Sequence, residues 1–188
     1  MGLQLITGPA TLPVDIVLAR DHLRIDGEEQ DAAITQLIKV ATAHAQQLTG
    51  RALITQRWRL VLDGFPRHAL RLPLPPLQSV ESITYLDVDG AEQTLDPAVY
   101  SVNPTGLVGQ ITPAYGQAWP ATRAEAMAVA VEFTCGYTAV PDDIQAAMLL
   151  LIGSLDQYHE DVITGTIATQ LPYGARVLLS PYVIPSQP

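Results

Sequence analysis

One cysteine, one lysine and two phenylalanines are present in this 188-residue chain. The single Cys135 excludes an internal disulfide and any multi-cysteine metal site, and fits synthesis in a reducing compartment. Lys39 is the only lysine among ten basic residues, set against 19 acids for a net charge of -9. That balance argues against a nucleic-acid grip, which needs a positive surface. It fits either a soluble acidic surface or one that lets DNA pass without sticking. Long apolar runs are missing too. The longest, Ala146 to Ile152, falls far below the ~20 residues of a membrane helix. The opening MGLQLITGPA has no basic n-region, and Leu3 to Ile6 is too short for a signal core. A soluble protein made in the cytoplasm, with no membrane contact, is expected. The length suits one domain, or one domain carrying an insertion. Such a chain can bury roughly 70% of its unfolded surface.

What the chain does contain is best read from Asp31 to Trp58, where a helix stops and a strand begins. Ile34, Leu37, Ile38, Ala41, Ala45 and Leu48 recur at the spacing of one helical face. Asp31 suits the positive end of the helix dipole, and Gly50 is the expected left-handed stop. At ~1.5 Å per residue this helix is about 28 Å long. Past Gly50 the period becomes two: Ile54, Trp58, Leu60 and Leu62 point one way, Thr55, Arg57, Arg59 and Asp63 the other. Gln56 alone breaks the apolar side.

Ahead of that helix, residues 1–12 read as an extended arm, because Gly8, Pro9 and Pro13 discourage regular structure. A short helix from Pro13 to Arg24 follows, with Thr11 or Leu12 at its boundary and Val14, Val17, Leu18 and His22 on one side. Between Arg51 and Val140 the chain reads as β. Strands are predicted at 54–62, 69–72, 80–88, 91–95, 99–102, 110–112 and 127–135, with eight prolines between them. Asp89-Gly90 predicts a hairpin with positive φ at both turn positions. In the last strand Met127, Val129, Val131, Phe133 and Cys135 are expected to face in, and Ala128, Ala130, Glu132 and Thr134 out. Helix returns at Pro141-Asp142-Asp143, with Ile144, Met148, Leu151, Ile152 and Leu155 inward. Leu149 and Leu150 make this helix apolar nearly all round, so a partner subunit is one way to cover its second side. A Thr/Gly-rich link after Asp161, a helical turn at 173–179 and a proline-bounded tail complete the chain. The fold class is therefore α+β: a helical core of three to four helices, residues 1–50 and 141–188, with an inserted antiparallel β sandwich or barrel-like domain, residues 51–140.

Catalytic chemistry is hard to find. His22, His44, His68 and His159 form no H-x₃-H or HExxH pair, so no metal site is expected. His159-Glu160-Asp161 reads as a solvated helix end. Asp87-Val88-Asp89-Gly90 lacks the later ligands of a calcium loop. No nucleotide fingerprint or nucleophile elbow occurs, and no cofactor is implied. Cys135 is read as a small buried hydrophobe. Asp142 and Asp143, the best acids for a hydrolase reading, are already explained by the helix start. The loop Pro113 to Arg123 is the most unusual segment. Tyr115, Trp119 and Arg123 form a candidate contact site for glycan or a partner protein. Alternatively, the two aromatics cap the open end of the β core.

Six segments together carry a resemblance: HLRID (22–26), LTGRALITQRW (48–58), LPLPPLQSVESITYLD (72–87), PAYGQAWPATR (113–123), CGYTAVPDDIQAAMLLL (135–151) and LPYGARVLLSPY (171–182). In this order they resemble the head-tail connector, or adaptor, proteins of long-tailed bacteriophages and prophages, in the version with a β insertion. The resemblance implies a non-enzymatic virion protein at the head-tail junction, made in the bacterial host cytoplasm. It implies partners as well: further copies of itself in a ring, generally dodecameric, the portal protein above, and a stopper or tail-completion protein below. Double-stranded DNA would pass through without specific binding. The C-terminal segment commonly docks on the portal, which makes Tyr173, Leu178, Leu179, Tyr182, Val183 and Ile184 candidate portal or neighbour contacts. The tail carries no basic cluster, so a charge-driven portal contact is not expected.

Overall fold

A computed structural model describes residues 1–157 and 172–185. The chain divides into two compact units, one of residues 11–54 and 139–188, the other of residues 1–10 and 55–138.

In the helical unit, α1 spans Ile16–Leu23 and starts later than Pro13 suggests. Asp15 caps it, its side chain accepting the Val17 N–H at 2.7 Å. That bond satisfies a backbone donor left open at a helix start, which Thr11 and Leu12 do not do here. Ala19 faces inward, whereas Val17 and Leu18 are exposed rather than turned in as expected. α2 spans Asp31–Thr49 and buries Ile34, Ile38, Ala41, Ala45 and Thr49 in one stripe. Its end is set by Gly50, left-handed at φ 69, whose N–H donates to the Gln46 carbonyl at 2.8 Å. α3 spans Asp142–Gln157, with Ile144, Ala147, Met148, Leu151 and Ile152 buried. Leu150 is 39% exposed, so the second side of this helix is partly open. α4, Tyr173–Leu179, packs on α3 through Ala175 and Leu179. The predicted helix end at His159 to Asp161, the Thr/Gly-rich link and residues 186–188 lie outside the described residues.

The second unit holds a five-stranded antiparallel sheet ordered β1-β2-β8-β4-β5 and a three-stranded one ordered β3-β7-β6. The strands are β1 (Gly2–Thr7), β2 (Gln56–Leu62), β3 (Leu70–Leu72), β4 (Leu77–Leu86), β5 (Glu92–Thr94), β6 (Tyr100–Asn103), β7 (Gly109–Pro113) and β8 (Val129–Cys135). Neither sheet closes into a barrel among the described residues. All seven predicted strands are present. The eighth, β1, forms from residues expected to be an extended arm, and it pairs with β2 from Gly2↔Val61 to Thr7↔Arg57. The first ten residues thus belong to the β unit rather than to the helical one.

β8 is the middle strand, pairing Phe133 with both Trp58 and Val80. Its expected inward set is buried from Val129 onward, and Ala128 and Ala130 are buried as well. Met127 is different: it is 69% exposed at φ 62, with its N–H donating to Asp63 Oδ1 at 3.0 Å. The strand starts two residues later than predicted because this backbone group bonds a side chain instead of a ladder partner. At the β4–β5 turn only Gly90 has positive φ. Asp87 Oδ1 accepts from the N–H groups of Asp89 and Ala91, at 3.0 and 2.9 Å, so a side chain takes over part of the turn. The small sheet lies close to β4: a Cβ on Gly109 would sit 2.6 Å from Leu77 Cδ2.

Candidate functional site

The loop residues Tyr115, Trp119 and Arg123 do not converge on one ligand surface. The Trp119 ring lies parallel to Phe65, 4.7 Å between centroids and 5° between planes. Phe65 in turn meets Tyr85 edge-on at 5.8 Å. Trp119 Nε1 donates to the His68 carbonyl at 3.4 Å. The indole is committed to the sheet, as a cap of the β core requires. Tyr115 stands fully in solvent. Arg123 pairs with Glu125 at 3.3 Å and reaches over the Gly90 turn.

The C-terminal candidates separate into anchored and free residues. Leu179 is fully buried inside the helical unit, so it serves packing and is not open to a partner. Leu178 is half-buried. The Tyr182 carbonyl accepts from Arg51 Nε at 2.6 Å, and the Ile184 N–H donates to the Thr49 carbonyl at 3.0 Å. The tail therefore closes the C-terminal end of α2, taking up one of its orphan carbonyls. Ile184 carbons lie 3.5 Å from where a Gly50 Cβ would stand. Tyr173, at 83% exposure, and Val183 remain open to solvent. Val177, one turn after Tyr173, is exposed too, and a Cβ on Gly174 of α4 would stand 3.2 Å from Leu150 Cδ1. This helical patch follows from tertiary packing; the sequence hinted at it only through the over-apolar α3.

Nucleophilic and metal chemistry have little to work with. Burial pushes the Cys135 thiol up to about 12, so it stays protonated at neutral pH. Glu81 is held below its ordinary range by hydrogen bonds from the Ser79 and Thr134 hydroxyls, at 2.6 and 2.9 Å. Among the described residues no three His, Cys, Asp or Glu side chains cluster to hold a metal ion. No described helix is long and apolar enough to cross a membrane. What the surface offers instead is apolar edges and patches.

Comparison with known proteins decides the family. The head completion protein model matches residues 17–165. The chain belongs to that family. No curated protein sequence matches significantly. Solved structures are similar along almost the whole chain, each alignment covering 97% of this chain and 95% of the other. One is a chain of the neck of an empty gene transfer agent (GTA) particle, reconstructed with C6 symmetry, 24% identical, TM-score 0.79. A second is from the virion of a native GTA particle, 26% identical, TM-score 0.76. A third is from the neck of a native GTA particle, reconstructed with C12 symmetry, 26% identical, TM-score 0.75. The aligned length takes in residues of both units of this head completion protein.

Proposed function

We propose that this chain is a structural, non-enzymatic ring subunit at the head-tail junction of a phage-like particle, where it joins the DNA-filled head to the tail and extends the DNA channel. The observation that carries the proposal is the family match together with end-to-end likeness to chains of GTA necks and virions. The helical unit serves as the connector core and residues 55–138 as the inserted β body. Its partners are further copies of itself, the portal protein above and a stopper or tail-completion protein below. The exposed patch of Tyr173, Val177 and Leu150, with Val183, supports a neighbour or portal contact made by apolar burial. A net charge of -9 suits a conduit that DNA crosses without adhering.

Adding the purified chain to portal-bearing heads that lack it tests the proposal. A ring of density below the portal in electron microscopy, and heads that then accept tails, are expected. Heads that complete equally well without the chain, with no added density when it is present, overturn it.

A further inference from the structure

Each sheet has two outer strands, and charge distinguishes the guarded edges from the open ones. Exposed edges are normally blunted by charge, proline, bulges or shortness. On the β4–β5 side, β5 has three residues and carries Glu92, it pairs only with Thr84 to Leu86, and the rest of β4 carries Glu81 and two register shifts. β3 has three residues, holds Arg71 and runs into Pro73. β1 and β6 are different. β1 is six residues long, exposed at every position, with Leu5 50% and Leu3 37% accessible; its pairing with β2 shifts register between Leu5 and Thr7, but it has neither charge nor proline. β6 is four residues long, uncharged, with Val102 39% exposed. Among the described residues no strand pairs with the outer side of either.

Charge points to the occupant. Residues 1–14 and 97–122 contain no charged side chain, although the chain carries 29 charged residues. Two copies at net charge -9 repel, and these uncharged stretches are where they can approach at least electrostatic cost. A cyclic ring needs two different, complementary surfaces on each subunit, and two open edges are what this unit presents. The side chains match as well. Alternation puts Leu3 and Leu5 on one face of β1 and Gln4 on the other, with Ile6 at the register shift before Thr7. In β6 it puts Tyr100 and Val102 on one face, Ser101 and Asn103 on the other. Pairing the strands sets Leu3 and Leu5 beside Tyr100 and Val102, and Gln4 beside Ser101 or Asn103.

We infer that β1 of one copy adds to β6 of the next, joining the five-stranded sheet of one subunit to the three-stranded sheet of its neighbour around the ring. The inference rests on the ring reading above. Leu5→Lys and Val102→Lys alter exposed positions, so each variant keeps the wild-type melting curve while its incorporation below the portal falls at least tenfold. Leu5→Lys combined with Val102→Glu recovers incorporation through an opposite-charge cross-strand pair. As a second readout, the Leu5→Cys/Val102→Cys chain, assembled on portal-bearing heads and oxidised, gives a ladder of covalent multimers, and either single variant gives none. Single lysine variants that assemble like the wild type, or assembled rings without a ladder, overturn the edge pairing alone. A wild-type chain that forms no ring in the same assay overturns the ring reading and the pairing with it.

Discussion

Trp119 shows what one residue does when its ring is spent on the fold. Stacked on Phe65 and half-buried, it contributes packing and one hydrogen bond. Trp119→Ala should therefore lower stability by about 2 kcal/mol, somewhat less than for a fully buried tryptophan. Denaturant unfolding measures this, and Tyr115→Ala, in open solvent, should change it little. Cys135 gives a pH prediction of definite sign. Burial pushes the folded thiol up to about 12, against an ordinary value of 9.0. The folded state thus holds its proton where the unfolded state releases it. The resulting stabilisation is complete below about pH 9 and declines as pH rises from there toward 12. At pH 8 a thiol reagent should label Cys135 only after denaturant is added; rapid labelling of the native protein would contradict its burial. The sequence already showed this cysteine on an apolar strand face. It could not show the burial that decides its chemistry.

Elements differ in how much of their cause is local. α2 was legible from start to finish because periodicity, the acid at its first turn and Gly50 all agree. Gly50→Ala should cost about 1 kcal/mol, since φ 69 disfavours a side chain while the added Cβ meets Ile184 at ordinary contact distance. Asp15→Ala should likewise cost about 1 kcal/mol by removing the α1 cap. Thermal melts of the two variants test both values. β1 left no comparable signal. Every one of its residues is exposed, so there is no buried face to impose alternation, and Gly8-Pro9 reads as a loop. Its existence depends on β2, more than fifty residues away, offering an edge. Met127 and the Asp87 turn were misjudged for a related reason, because a side-chain carboxylate replaced the backbone partner in each. Leu179 looked like part of a free strip only because its packing partners lie in other helices.

At the scale of the whole molecule, charge and apolar surface act against each other, and salt separates their effects. Subunits of net charge -9 repel most at low ionic strength, where the screening length is longest, about 30 Å at 0.01 M against about 10 Å at 0.1 M. A ring closed by uncharged strand edges has few ion pairs for salt to weaken, and screening removes part of the repulsion between copies. Ring assembly on portal-bearing heads should accordingly rise as sodium chloride goes from about 20 to 300 mM, and the ring should persist at higher salt. A ring held by intersubunit salt bridges would show the opposite slope. Measuring the bound fraction by sedimentation across this range, with Leu5→Lys/Val102→Glu beside the wild type, makes the sign diagnostic. The wild type should gain from salt, whereas the variant, whose contact includes an engineered ion pair, should gain less or lose.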